Sequence, residues 1–337
     1  MQIITTGATA AAANTVPALA FAAQPLKIGV SSCLVGHEVR HNGGHTRSKS
    51  MLETLGPWVD WVPVCPEVEI GLGVPRESLR LVGTVDEPRM VGTKSGTDHT
   101  EKLGTWAETR LKGLLKQRLD GYVFKKGSPS CGLFRVKVYD HNTVPASVGR
   151  GLFAAALTEA MPLLPVEEEG RLNDARLREN FIERLFAYQK WQELLEDPSL
   201  GALVQFQADF KMTLMAHSPA GQKELGRLVA EGNHRPLDEL LDEYGRRFMA
   251  VMGKIAAAKG HTNVLHHLMG FLKQHIDADD KAELVDTIEQ YRLERVPLIV
   301  PVTLLKHHIR KHEPAEWLSR QTYLNPYPAE MMLRNQI

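Results

Sequence analysis

Two patterns of apolar and polar positions divide the chain. Residues 26–165 alternate short apolar runs with helical stretches among many Gly, Pro and Val, whereas from residue 173 onward almost every segment carries a helical period. In the first part, Leu26–Ser31 reads as a buried strand and 58–64 as another. Residues 77–83 and 89–92, across a polar turn, predict a hairpin, and 121–125 and 135–139 predict two further strands. Asp98 with Glu101 three residues later predicts an N-cap with a capping box. Behind it Leu103, Ala107, Leu111, Leu115 and Leu119 recur every four residues, which predicts one apolar helix face. Residues 151–161 predict a second, more apolar helix. Strands alternating with helices imply an α/β domain with a mainly parallel sheet over 26–165.

Residues 162–170 interrupt this pattern with two prolines, three glutamates and a glycine, and the domain boundary is expected there. Helices are predicted over 174–195, 198–217, 221–232, 236–258, 262–275, 278–293 and 301–312. Their short connections favour antiparallel neighbours and an all-α domain over 171–330. No internal repeat is evident. The tail Thr322-Tyr-Leu-Asn-Pro-Tyr-Pro328 is too rich in proline for a helix and is expected to lie on the bundle as an extended segment.

At about 150 residues per domain, 337 residues agree with two domains. The 40 Lys and Arg balance the 40 Asp and Glu, which argues against wrapping nucleic acid or coating an anionic membrane, although not against a local basic groove. No apolar run reaches the ~18 residues of a membrane span. Residues 1–25 are rich in Ala and Thr and lack the Lys or Arg that opens a secretory signal. They are expected to be a disordered leader, and the protein to be cytoplasmic.

Three cysteines do not make a disulfide framework. Each follows a predicted strand or sits in a Gly- and Pro-rich turn: Cys33 after 26–31, Cys65 after 58–64, and Cys131 in Lys126-Gly-Ser-Pro-Ser-Cys-Gly132. Ligands of open parallel sheets gather beyond the carboxyl ends of the strands, so these thiols are expected to converge. Free backbone N–H groups of the Gly/Ser turn are expected to form an anion-stabilising nest. The residues leave several uses open. They are a cluster with one iron free of protein ligands and able to act as a Lewis acid, a zinc site completed by His37, His41 or His45, a nucleophilic thiol, or unrelated core cysteines.

Four blocks carry a resemblance: Ser31-Ser-Cys-Leu-Val-Gly36, Val39-Arg-His-Asn-Gly43, Val64-Cys-Pro-Glu-Val68 with Gly71-Leu-Gly-Val-Pro-Arg76, and Gly127-Ser-Pro-Ser-Cys-Gly132. In this order and spacing they resemble the bacterial thiouracil desulfidase (TudS) family. The second half is similar to the helical domain of unknown function in YbgA-type proteins. That likeness rests on Leu214-Met-Ala-His-Ser218, Asn263-Val-Leu-His-His-Leu-Met-Gly270, Val296-Pro-Leu-Ile-Val-Pro301, Leu304-Leu-Lys-His307 and Gln321-Thr-Tyr-Leu-Asn-Pro-Tyr-Pro328. The resemblance implies a 4Fe-4S cluster held by Cys33, Cys65 and Cys131, with one iron not ligated by protein, and a catalytic glutamate and serine that fall at Glu67 and Ser128. It implies hydrolytic removal of sulfur from a thiolated pyrimidine such as 2-thiouracil, free or within a nucleoside or thiolated RNA. In that scheme Glu67 activates water and Ser128 bonds the base or relays a proton.

Each of these residues also has a plainer reading: Glu67 as a surface or capping carboxylate, Ser128 as a turn serine, Ser130 as a backbone donor, and Arg40 and Arg76 as substrate anchors or salt-bridge partners. The alternative for the whole chain is a cluster- or zinc-containing protein that binds thiolated RNA without turnover. Its helical half would then use Arg292, Arg295, Lys306, Arg310 and Lys311 as a basic face. The helical half also holds His217, His261, His266, His267, His275, His307, His308 and His312. Most are expected to be satisfied core or polar histidines, although His308 and His312 stand one helical turn apart, as metal ligands can. Oligomeric state is not encoded in any visible pattern.

Overall fold

The computed structural model describes residues 25–337 apart from His141 and Thr143, so the leader expected over 1–25 lies, but for Pro25, outside the described residues. Eight strands are found among the described residues: β1 (Leu26–Ser31), β2 (Val59–Val64), β3 (Leu79–Gly83), β4 (Pro88–Gly92), β5 (Gly121–Phe124), β6 (Val136–Tyr139), β7 (Pro145–Gly149) and β8 (Val166–Glu168). The first sheet runs β2-β1-β5-β8 and is parallel throughout, with Ile28 opposite both Trp61 and Gly121. The second runs β4-β3-β6-β7 and is mixed, because the expected β3–β4 hairpin joins β6 rather than the parallel sheet. Strand β8 lies inside the interruption read over 162–170. Three residues on a sheet edge are too few to show a period.

Helices α1 (Lys49–Leu55), α2 (Pro66–Glu69), α3 (Thr100–Gln117) and α4 (Leu152–Ala160) belong to the strand-containing half. They are followed by α5 (Ala175–Leu194), α6 (Leu200–Asp209), α7 (Lys211–His217), α8 (Pro219–Ala230) and α9 (Leu237–Met252). The chain continues through α10 (Ala258–Leu272), α11 (Ala278–Arg292), α12 (Ile299–His312) and α13 (Glu316–Ser319). The chain is therefore an α/β unit with a parallel sheet followed by a largely helical region.

The four-residue stripe of α3 does not stay on one face. At 3.6 residues per turn each four-residue step drifts by about 40°, so Leu103, Ala107 and Leu111 are buried while Leu115 is 51% exposed and Leu114 takes its place at 0%. Asp98 sits one residue before the helix's flank, yet its Oδ1 still accepts from the Thr100 N–H at 2.8 Å. The helix expected over 198–217 is broken at Phe210. The backbone groups freed there find partners in the tail: Gln321 Oε1 accepts from Met212 N–H at 3.1 Å, Gln321 Nε2 donates to Ala208 O at 2.9 Å, and Thr322 N–H donates to Asp209 O at 3.0 Å.

Both faces of the parallel sheet are covered. On one, Tyr122 and Phe124 meet Leu111 and Leu114 of α3 and Phe153 and Leu157 of α4. On the other, Ile28, Val30 and Val123 pack with Phe181, Ile182 and Leu185 of α5 and with Tyr327, Met331 and Leu333 of the tail. Contact on both faces is close enough to require glycine. A Cβ at Gly121 would lie 2.2 Å from a Leu185 methyl, and one at Gly29 2.2 Å from the Tyr122 ring. The tail thus forms part of the core under the first half, rather than only lying along the bundle.

Candidate active site

Parallel pairing aligns the carboxyl ends of β2, β1 and β5 side by side, and each is followed by one of the cysteines. Cys33 lies in a short 3-10 turn, Ser32–Leu34, directly after β1, pinned by Thr46 N–H on Cys33 O at 3.0 Å. Cys65 ends β2 and begins α2, its own N–H donating to Glu69 Oε1 at 3.1 Å. Cys131 follows β5 in the turn that starts at Gly127, where φ is +68°, a conformation glycine adopts freely. The Ser31 hydroxyl accepts from Lys125 N–H at 2.9 Å and ties the end of β1 to that of β5. All three cysteines, with Glu67, Ser128 and Ser130, line one cavity of about 240 Å³. Arg40, Arg76 and Lys125 also line it, Arg76 paired with Glu67 and Lys125 with Glu169.

Glu67 is held from two sides. Its Oε2 accepts from Arg76 Nε at 3.0 Å and from Nη2 at 2.5 Å, while its Oε1 accepts from the Ser130 hydroxyl at 2.9 Å. Arg76 is thereby a partner of Glu67 and is anchored further on Gly73 O and Val39 O, each at 2.9 Å. Ser128 lies one step back. Its Oγ is 3.0 Å from that of Ser130 and accepts from the N–H groups of Ser130 at 3.3 Å and Cys131 at 3.1 Å. Since the Ser130 hydrogen goes to Glu67, Ser128 donates to Ser130, giving a directed chain from Ser128 through Ser130 to Glu67.

Two expectations change here. The N–H groups of Ser130, Cys131 and Gly132 turn onto Ser128 and are not a free nest. Ser130, read from the sequence as a backbone donor, is the serine whose side chain reaches the carboxylate. The S-P-S spacing held that signal, because two serines flanking a proline in a tight turn are brought close together. Arg40 and His41 line the cavity, His37 and His45 do not, and Asn42–Gly43 form the expected turn, Gly43 N–H donating to Arg40 O at 2.9 Å.

The sulfur chemistry fits a multi-iron group better than a single ion. Among the described residues, one set of three His, Cys, Asp or Glu side chains has all its ligand atoms within 4.8 Å of one another, and it is not the cysteines. Thiolates on one tetrahedral zinc stand only ~3.8 Å apart at the usual Zn–S length. The buried hydroxyl of Thr46 sits beside Cys33, makes no other hydrogen bond, and is placed to donate toward an anionic sulfur, which pulls the Cys33 pKa down. Desolvation raises the pKa of all three thiols, Cys131 most, while Lys125 and Arg40 pull Cys33 down and Arg76 pulls Cys65 down. Metal coordination, which requires thiolate, overcomes such a burial penalty.

The fold and the cavity define a class: an α/β sheet bearing a cysteine-lined, carboxylate-containing site at its strand ends, joined to a helical half. A model of the 2-thiouracil desulfurase family matches residues 28–169, and one for a protein of unknown function, DUF1722, matches residues 211–328. The chain is 31% identical over 166 residues to the uncharacterized protein YbgA of Escherichia coli (strain K12), covering 49% of this chain and 98% of that protein. It is 32% identical over 151 residues to the uncharacterized protein YbbK of Bacillus subtilis (strain 168), covering 43% of this chain and 97% of that protein. A solved structure of a 4Fe-4S-dependent thiouracil desulfidase, TudS, shares 31% identity over 44% of this chain and 93% of its own, with a TM-score of 0.36. The chain belongs to the 2-thiouracil desulfurase family through its first half and to the DUF1722 family through its second. No helix among the described residues is long and apolar enough to cross a membrane.

Proposed function

We propose that the protein is a cytoplasmic, cluster-dependent desulfidase that converts a thiolated pyrimidine such as 2-thiouracil, with water, into uracil and sulfide. Cys33, Cys65 and Cys131 would hold a 4Fe-4S cluster with one iron free of protein ligands. When bound, that group supplies a Lewis acid for the thiocarbonyl sulfur. The observation that carries the reading is the meeting of three thiols and one carboxylate at the ends of three adjacent parallel strands.

The chain's own residues supply the rest. Glu67 Oε1 has a second lone pair beyond its bond to Ser130, and with it the carboxylate takes a proton from water as that water attacks the carbon bearing sulfur. Arg76 fixes the carboxylate plane, and Ser130, backed by Ser128, orients Oε1. The C=S bond becomes C=O, sulfur leaves as sulfide with the protons of water, and no electron is gained or lost. A volume of about 240 Å³ is smaller than that of sites for drug-sized ligands, which run to about 300–1,000 Å³. It suits a compact inorganic group with one small ring beside it.

Anaerobic purification followed by a visible spectrum, iron and zinc analysis, and addition of 2-thiouracil tests this. Brown, iron-containing protein that releases uracil and sulfide is expected. Colourless protein carrying one zinc, or iron-loaded protein inert toward every thiolated pyrimidine offered, overturns it.

A further inference from the structure

We propose that Asp280, His308 and His312 form a second metal site, for a divalent first-row ion of the zinc class, in the helical half. Asp280 lies in the first turn of α11, and His308 and His312 lie one turn apart on α12, which packs against it. One ligand atom from each falls within 4.8 Å of the other two. His308 is 2% exposed, and neither ring nitrogen has a hydrogen-bond partner; His312 Nε2 is likewise buried and unpartnered.

A buried imidazole must place at least one N–H, so two such rings without partners are rare in a well-packed core. Asp280 does not solve this as an ordinary pair, because its Oδ2 is 3.9 Å from His308 Nδ1, beyond hydrogen-bond reach. The same separation suits a carboxylate and an imidazole facing a common ion, after a small shift of the partly exposed Asp280 side chain. The two rings are nearly parallel, 13° apart with centroids 6.0 Å from each other. Two imidazoles and one carboxylate are a common zinc donor set, and a water would complete four-coordination. The ion would clasp α11 to α12.

Cobalt(II) titration of the full chain, previously dialysed against chelator under nitrogen, separates this site from the cysteines. Thiolates give intense sulfur-to-cobalt charge transfer, whereas nitrogen and oxygen donors give only d–d bands. Expected is one equivalent with a nitrogen/oxygen spectrum, displaced by zinc. H308Q and H312Q should each weaken it by about a hundredfold or more, beyond the roughly 10–100-fold cost of losing a supporting partner. H275Q, at an exposed histidine, should leave it unchanged. His312 is only partly buried, so H312Q carries the test should H308Q not fold. Absence of nitrogen/oxygen-type cobalt in the parent chain, or the same affinity in H312Q, overturns the proposal.

Discussion

At the scale of single residues, the site is organised around one carboxylate with two kinds of anchor. Arg76 grips Glu67 Oε2 through two nitrogens, while Ser130 reaches Oε1, the oxygen proposed to meet water. Replacing Glu67 by Gln should retain the iron–sulfur absorption and lower turnover by about 100–10,000-fold, the worth of a general base. Undiminished turnover of 2-thiouracil would remove Glu67 from the chemistry. Ser130→Ala removes the partner that orients Oε1 while Arg76 still holds Oε2, and a misplaced proton acceptor costs up to about a hundredfold; the cluster spectrum should persist. Ser128→Ala instead deprives the N–H groups of Ser130 and Cys131 of their acceptor, so lower iron retention on dilution is expected before any change in turnover per cluster. If the two serine variants behaved alike, the directed chain would be wrong. That the cysteines and Glu67 share one cavity was legible in the sequence from their motif blocks and strand-end positions. The part played by Ser130 was not, because the direction of a hydroxyl is set by what lies across the cavity.

At the scale of elements, the parallel ladder converts distance along the chain into adjacency. Strand register places Ser31, Val64 and the residues after Phe124 at one edge, so turns 32 and 66 residues apart in sequence share a cavity. Helix α3 illustrates how sequence period and structure part company. A four-residue spacing mimics one face for two steps and then rotates off it. Leu114→Ala should therefore destabilise the protein by about 2–5 kcal/mol as a core truncation, and Leu115→Ala by less than about 0.5 kcal/mol as a surface change. Urea midpoints measured side by side decide it, and equal losses would refute the assigned face. The break between α6 and α7 was invisible locally, because its partners, Gln321 and Thr322, lie over a hundred residues downstream.

At the scale of the molecule, the halves share a core. Helix α5 and the tail cover the sheet, and beneath them lies a buried polar network. Tyr327 OH donates to Glu179 Oε1 at 2.9 Å, His217 Nε2 is 2.9 Å from Glu183 Oε2, and the Arg334 guanidinium lies 3.7 Å from each carboxylate. Burial, then the charge of Glu183, raises the Glu179 pKa to about 7. A carboxyl whose folded pKa is raised stabilises the fold while protonated, so this contribution is full below the ordinary carboxylate range and is lost as pH rises toward 7. Electrostatic partnership with Glu183 outweighs burial and raises the His217 pKa, and its contribution is lost as pH rises further. Glu179→Gln should flatten the fall in unfolding free energy between about pH 4.5 and 6.5, read from urea curves across that window. A slope identical to the parent's would show that Glu179 does not titrate there.

The sequence by itself determined the α/β-then-helical order, the main strands, and the placing of the three cysteines at strand ends, because these rest on local periods and short motifs. Tertiary structure decided the second sheet, the short edge strand β8, the α6–α7 break and the tail's place under the sheet. It also decided the pairing of Ser130 with Glu67 and the meeting of Asp280 with two histidines. Each depends on a partner distant along the chain, and no window of neighbouring residues carries the packing energy or the hydrogen-bond demand that selects it.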